Sequence, residues 1–231
     1  MTTQVTFDQI MAAAKRMERV YENPDHEKVV ERIENRGVQA YFYEDKTLVI
    51  PGTNEKLDWI DFNLEAFNFI GKDPQIFATK MGDSGAFEWH AGFLEHAHTV
   101  FTFANILKPK MIIGHSLGAA SAQIVGSSMR VPTLAFASPR TLRAKRSAAR
   151  PSGSNFVLNM LRTDDLVCDV PPRWLGFTHV GQVVRMNPKG IHWGEDHQME
   201  HYIEAMTDEA VKPKLDNILP LTLSAQEPMM A

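Results

Sequence analysis

A single cysteine, Cys168, among 231 residues excludes any internal disulfide, so the fold must rest on a packed core rather than on covalent staples. No apolar run approaches the roughly 20 residues needed to span a bilayer. The opening stretch, Met1-Thr2-Thr3-Gln4-Val5-Thr6-Phe7-Asp8-Gln9, has neither a basic patch nor an apolar segment of secretory-signal length. The expectation is a soluble, cytoplasmic protein, with export by another route left open. Charge of one sign is missing as well. The 24 Lys and Arg stand against 28 Asp and Glu, a net −4, which gives no global attraction to nucleic acid. Metal-ligand spacing is scarce: the close histidine pairs are His96-x-His98 and His197-x-x-x-His201, and no glutamate directly follows His197 as in a zinc-binding His-Glu-x-x-His helix. No metal and no cofactor is expected. Repeats and low-complexity segments are also absent.

What is present is an ordinary globular composition, 44% hydrophobic and 23% charged, at a length that suits one domain over 1–231. Phe7, Ile10, Met11, Ala14, Met17, Val20 and Tyr21 recur at helical spacing, which predicts a helix over 6–21 capped by Thr6 or Asp8 and broken at Asn23-Pro24. A second, highly charged helix is expected over 26–36, stopped by Gly37, so that N-terminal helices fill about 6–36. Val38–Tyr43 and Lys46–Ile50 read as strands around a turn at Glu44-Asp45. A helical pattern runs from Ala91 to Leu107. Apolar runs at Met111–Ile113, Val131–Ala137, Asn155–Leu161 and Gly181–Met186 read as buried strands, with helices at Leu117–Ser128 and His197–Met206. The tail 224–231 is expected to fray. Alternating strands and helices argue an α/β fold, a mostly parallel central sheet with helices on both faces.

Chemistry is concentrated at Gly114-His115-Ser116-Leu117-Gly118, between an apolar strand and a helix of small residues. A Gly-x-Ser-x-Gly in that context is a nucleophile elbow: the serine sits on a strained turn with its hydroxyl free, and side chains at the glycines would strike neighbouring backbone. The helix N-terminus beside it favours a developing oxyanion. A serine hydroxyl needs a histidine base, and the base an orienting carboxylate, in the chain order Ser, Asp or Glu, His. Asp164, Asp165 and Asp169 follow the third of those four strands, and His197 opens the last helix, with His192 and His201 as competitors. Chain order alone does not separate the three aspartates.

Several segments together resemble the class 3 (fungal-type) triacylglycerol lipase family: Val49-Ile50-Pro51-Gly52-Thr53 with Asp58-Trp59, Trp89-His90-Ala91-Gly92-Phe93, Ile113–Ala119, Ser138-Pro139-Arg140, the Asp-Leu-Val…Pro-Pro stretch at 165–172 and Asp-His-x-Met-x-x-Tyr at 196–202. The resemblance spans roughly 38–206. It implies an α/β-hydrolase fold and a triad of Ser116, Asp165 and His197, with oxyanion donors at the backbone of Leu117 and Thr53. Departures are Pro51 where the family often has Arg, Asp164 for the usual Asn, and Cys168 where Pro is common. The implied activity is hydrolysis of lipid ester bonds through an acyl-enzyme. The implied substrate is a lipid ester, met in solution or at a lipid–water interface. Acyl transfer or thioester hydrolysis by the same serine, or a non-catalytic lipid-binding role, are the alternatives. Oligomeric state is not legible in the sequence.

Secondary features remain. The aromatic stretch 57–70 fits either core or a lid. Arg140, Arg143, Lys145, Arg146 and Arg150 form a basic run with no acid, either a solvated face or a patch for anionic head groups. His115 is expected to be a packed elbow residue, and His201 a surface one.

Overall fold

In the computed structural model of this chain the structure describes residues 5–35, 37–52, 76–80, 86–143, 150–188 and 196–216. Alternation along its strands sorts the core into two layers. Tyr41, Tyr43, Val49, Ile113, Leu134, Phe136, Leu158 and Met160 point to one face of the main sheet. Val38, Ala40, Phe42, Leu48, Ile50, Ile112 and Val157 point to the other. Successive side chains of a strand face opposite sides, so a sheet covered twice reads as continuous apolar runs.

Seven of the described strands form that sheet, in the order β1-β2-β3-β6-β7-β9-β11. They are β1 (Val29–Asn35), β2 (Val38–Tyr43), β3 (Thr47–Ile50), β6 (Met111–His115), β7 (Thr133–Phe136), β9 (Val157–Arg162) and β11 (Gln182–Met186). Pairing is antiparallel from β1 to β3 and parallel from β3 onward. A second, antiparallel sheet joins β10 (Phe177–Thr178), β8 (Leu142–Arg143), β5 (Ala86–His90) and β4 (Ile76–Lys80).

Helix α1 (Phe7–Glu22) lies on the first face beside α4 (Met199–Met206) and α5 (Val211–Asp216). Its buried stripe of Ile10, Ala13, Ala14, Met17 and Val20 follows the predicted spacing, and each large side chain buried there stabilises by about 1.5–3 kcal/mol. Thr6, not Asp8, caps it. The Thr6 hydroxyl accepts from the Gln9 N–H and the Gln9 side chain accepts from the Thr6 N–H, a reciprocal capping box. On the opposite face lie α2 (Ala91–Leu107) and α3 (Leu117–Met129). Helix α3 is buried over nearly its whole circumference, which explains its glycines, alanines and serines. A Cβ on Gly118 would stand 2.0 Å from the Ile50 carbonyl oxygen, and one on Gly126 1.9 Å from Thr133 Oγ1.

The charged helix expected over 26–36 does not form. Pro24–His26 is one 3-10 turn and Val29–Asn35 is strand β1. Among the described residues β1 is an edge strand paired with β2 alone, and most of its residues are exposed, so charges on both faces are tolerated and the alternation that would betray a strand is missing. The β-branched Val29, Val30 and Ile33 fit the pleat. Helix α4 starts at Met199, not at the expected His197, which leaves His197 in the turn before it. Thr53, the stretch 57–70, His192 and the tail 224–231 lie outside the described residues.

Candidate active site

Strand β6 delivers Ser116 at its C-terminal end, with φ 57° and ψ −124° immediately before α3. A non-glycine residue in that region is strained and is held there by its surroundings. The surroundings here are backbone and small side chains: a Cβ on Gly114 would lie 2.6 Å from both Ala122 Cβ and the Gly118 carbonyl oxygen. The Ser116 N–H is held by the Phe136 carbonyl. Leu117 opens α3, where the first-turn N–H groups have no partner inside the helix.

His197 Nε2 is 2.7 Å from Ser116 Oγ, and His197 Nδ1 is 2.8 Å from Asp165 Oδ2. With Nδ1–H donating to the carboxylate, Nε2 is the bare nitrogen and accepts the serine O–H. Asp165 accepts two more bonds, from the Tyr202 hydroxyl at Oδ2, 2.7 Å, and from the Val167 N–H at Oδ1, 2.9 Å. Burial pushes the Asp165 carboxyl up. The His197 charge and the hydrogen bonds from His197, Tyr202 and Val167 outweigh it, and the net shift is below the usual carboxylate value. Asp165 therefore stays ionised beside the imidazole.

The competing acids are engaged elsewhere. Asp164 accepts two bonds from the Arg162 guanidinium, 3.0 Å from Nε and 2.6 Å from Nη2. The same Nη2 reaches Asp196 at 3.4 Å, so one buried arginine ties together the residues adjacent to Asp165 and His197. Asp169 receives Arg140 and Arg185. Among the competing histidines, His201 is buried on α4, not at the surface, because α4 turns that face inward beside Tyr202; its Nδ1 lies 3.8 Å from the Glu204 carboxylate.

Two members of the basic run are structural. Arg140 is buried and donates to the Asp169 and Pro171 carbonyls, bracing the turn that follows Asp165. Arg143 donates to the Leu175 carbonyl at 3.1 Å. Arg150 is exposed, and 144–149 lie outside the described residues. Among the described residues no group of three or more His, Cys, Asp or Glu could hold a metal ion, and no helix is long and apolar enough to cross a membrane.

Tyr21 and Arg162 carry no local sequence signal, whereas Tyr202 closes the Asp-His-x-Met-x-x-Tyr segment although its bond to Asp165 does not follow from residue order. Tyr21 lies 94 residues from its partner His115 and reads as one more residue on an amphipathic face.

Solved structures of similar fold include fungal lipases. Lipase II from Rhizopus niveus matches with a TM-score of 0.53 at 18% identity, over 81% of this chain and 83% of that one. A triacylglycerol lipase from Penicillium expansum matches with a TM-score of 0.55 at 13% identity, over 80% and 82%. No protein-family model matches the sequence, and no curated protein matches it. The likeness is one of fold: the chain has the α/β-hydrolase fold, a mostly parallel sheet flanked by helices.

Proposed function

We propose that this protein is a serine hydrolase akin to the fungal-type lipases, cleaving carboxylic ester bonds of lipids, acylglycerols above all. The observation that carries the reading is the unbroken bond sequence from Asp165 through His197 to Ser116, with the serine on a strained turn at a helix N-terminus.

Ser116 Oγ attacks the ester carbonyl carbon while His197 Nε2 takes the hydroxyl proton. Asp165 holds the imidazole in its Nδ1–H form and stabilises the imidazolium. Negative charge grows on the carbonyl oxygen beside the Leu117 N–H, with Thr53 as the second donor by resemblance. One such donor is worth about 3 kcal/mol at the transition state. Collapse expels the alcohol, which takes the proton from His197 and leaves an acyl group on Ser116. Water, deprotonated by the same nitrogen, then releases the fatty acid and restores the serine.

The likeness of fold to fungal lipases supports a lipid ester as the substrate.

The test is a panel of esters of rising acyl length, presented below and above their solubility limit, with Ser116→Ala as control. Fatty acid release that grows with droplet formation and falls by several orders of magnitude in the alanine variant is expected. Equal release by both proteins contradicts the reading. Product analysis with alcohol and thioester acceptors present separates hydrolysis from acyl transfer.

A further inference from the structure

Behind the serine and its base runs a second chain of hydrogen bonds that the reaction above does not use. The Gly52 N–H donates to Tyr21 Oη at 2.6 Å, Tyr21 Oη lies 2.7 Å from His115 Nδ1, and His115 Nε2 lies 3.0 Å from the His197 carbonyl oxygen. A carbonyl oxygen can only accept, so His115 Nε2 carries a proton. The neutral ring then has a bare Nδ1, which must accept from the Tyr21 hydroxyl, and that leaves the phenol oxygen to accept from Gly52. Every proton in the chain is thereby assigned.

We propose that Tyr21 and His115 are positioning residues for turnover, the Tyr21 hydroxyl fixing the His115 tautomer that holds the His197 backbone while anchoring Gly52 against the nucleophile. This rests on the serine hydrolase reading.

Geometry supports each link. The His115 ring lies 4.9 Å from the His197 ring and 5.5 Å from that of Tyr21, the latter edge-on at 88°. Gly52 separates Tyr21 from the nucleophile: a Cβ there would stand 3.1 Å from Tyr21 Oη and 2.8 Å from Ser116 Cβ. Gly52 also immediately precedes Thr53. Without the Tyr21 proton, His115 can move its own proton to Nδ1, and a bare Nε2 then opposes the His197 carbonyl, lone pair against lone pair. Burial, aided by the nearby His197 charge, pulls His115 down to about 3, so the ring stays neutral while His197 gains and loses its proton. Tyr21 sits at the end of α1, whose buried stripe clamps it to the sheet. An N-terminal helix thus reaches the site by one hydroxyl.

The experiment compares wild type, Tyr21→Phe, His115→Gln and His115→Leu by steady-state kinetics, thermal unfolding and ¹⁵N histidine shifts. Tyr21→Phe keeps the ring, and kcat is expected to fall about 10- to 100-fold with KM and the unfolding midpoint little changed. The His115 nitrogens should read as protonated Nε2 and bare Nδ1 in wild type and as a tautomer mixture in the variant. His115→Gln, with an amide that can both accept and donate, should retain more turnover than the apolar His115→Leu, whereas a packing role would favour leucine at this buried position. The glutamine–leucine comparison decides the matter should Tyr21→Phe not fold. A Tyr21→Phe protein with wild-type kcat and unchanged shifts, or leucine matching glutamine, overturns the proposal. Ser116→Ala run alongside separates the two readings: intact ester turnover there overturns both, while abolished turnover with an unaffected Tyr21→Phe overturns the relay alone.

Discussion

Arg162 grips Asp164 with two hydrogen bonds, 3.0 and 2.6 Å, and thereby occupies the carboxylate directly beside Asp165, one of the two that compete with it for the role of triad acid. The two adjacent carboxylates have separate duties. Asp165→Asn should cost about 10⁴ in kcat, because an amide no longer enforces the Nδ1–H form of His197. Asp164→Asn should leave chemistry within about tenfold and instead lower stability by about 2 kcal/mol, since the buried guanidinium loses the nearer of its two carboxylate partners and keeps only Asp196 at 3.4 Å. Ester kinetics and urea unfolding of both variants check the pair; a reversed pattern would make Asp164 the acid.

Glycines at the elbow carry a steric prediction. Gly118→Ala should unfold the protein or destabilise it by more than about 3 kcal/mol, because the new Cβ would meet the Ile50 carbonyl at 2.0 Å and neither main chain can yield. Gly52→Ala should behave differently. Its Cβ would meet Ser116 Cβ at 2.8 Å, so the folded variant should lose turnover well before it loses structure. Circular dichroism melts alongside kcat distinguish these outcomes.

Four buried histidines make stability fall with acid. Burial lowers His90, His96 and His179 from 6.5 to about 4 and His115 to about 3. The neutral folded forms are at no disadvantage above the unfolded value of 6.5. Below it the unfolded chain binds protons that the folded chain refuses, so stability drops progressively until the folded values near 4 and 3 are reached. Each ring adds a slope of up to about 1.4 kcal/mol per pH unit. Asp165, whose folded value is depressed, adds a further loss below its unfolded value of 3.8. Urea midpoints at pH 7.5, 6.0 and 5.0 should decline steeply, and a flat series contradicts the burial of these rings.

Cys168 should be inert. Burial pushes its thiol well up, the Asp165 charge adds to this, and its sulfur lies 3.2 Å from Tyr202 Oη. Iodoacetamide should label nothing in the native protein and one equivalent after unfolding, since the thiolate is the reactive form. Rapid native labelling, followed by mass spectrometry, would show the thiol accessible.

Much of this was legible from residue order because the relevant signals are local. The runs around Ile112, Leu134 and Leu158 read as strands covered on both faces, and the glycines flanking Ser116 read as close contacts. Place after a strand narrows the acid to Asp164, Asp165 and Asp169, and place near the last expected helix narrows the base to a few histidines. Asp165 and His197 are singled out only by the resemblance to the fungal-type lipases. What stayed hidden is non-local. Strand β1 looked helical because an edge position with both faces wet tolerates Glu31, Arg32 and Glu34 without alternation. Tyr21 could not be assigned because its meaning depends on where α1 docks. His201 was expected outside and lies inside because α4 turns that face toward Tyr202 and the core.

A fluorophosphonate reporter, applied to the native protein and followed by peptide mapping, reads the activation of one oxygen without reference to any substrate. Stoichiometric, time-dependent labelling on Ser116 alone, abolished by His197→Ala, is the expected result. An unlabelled Ser116 in a folded protein, or labelling that survives loss of the His197 imidazole, would mean that the bond from Ser116 to His197 does not make a nucleophile.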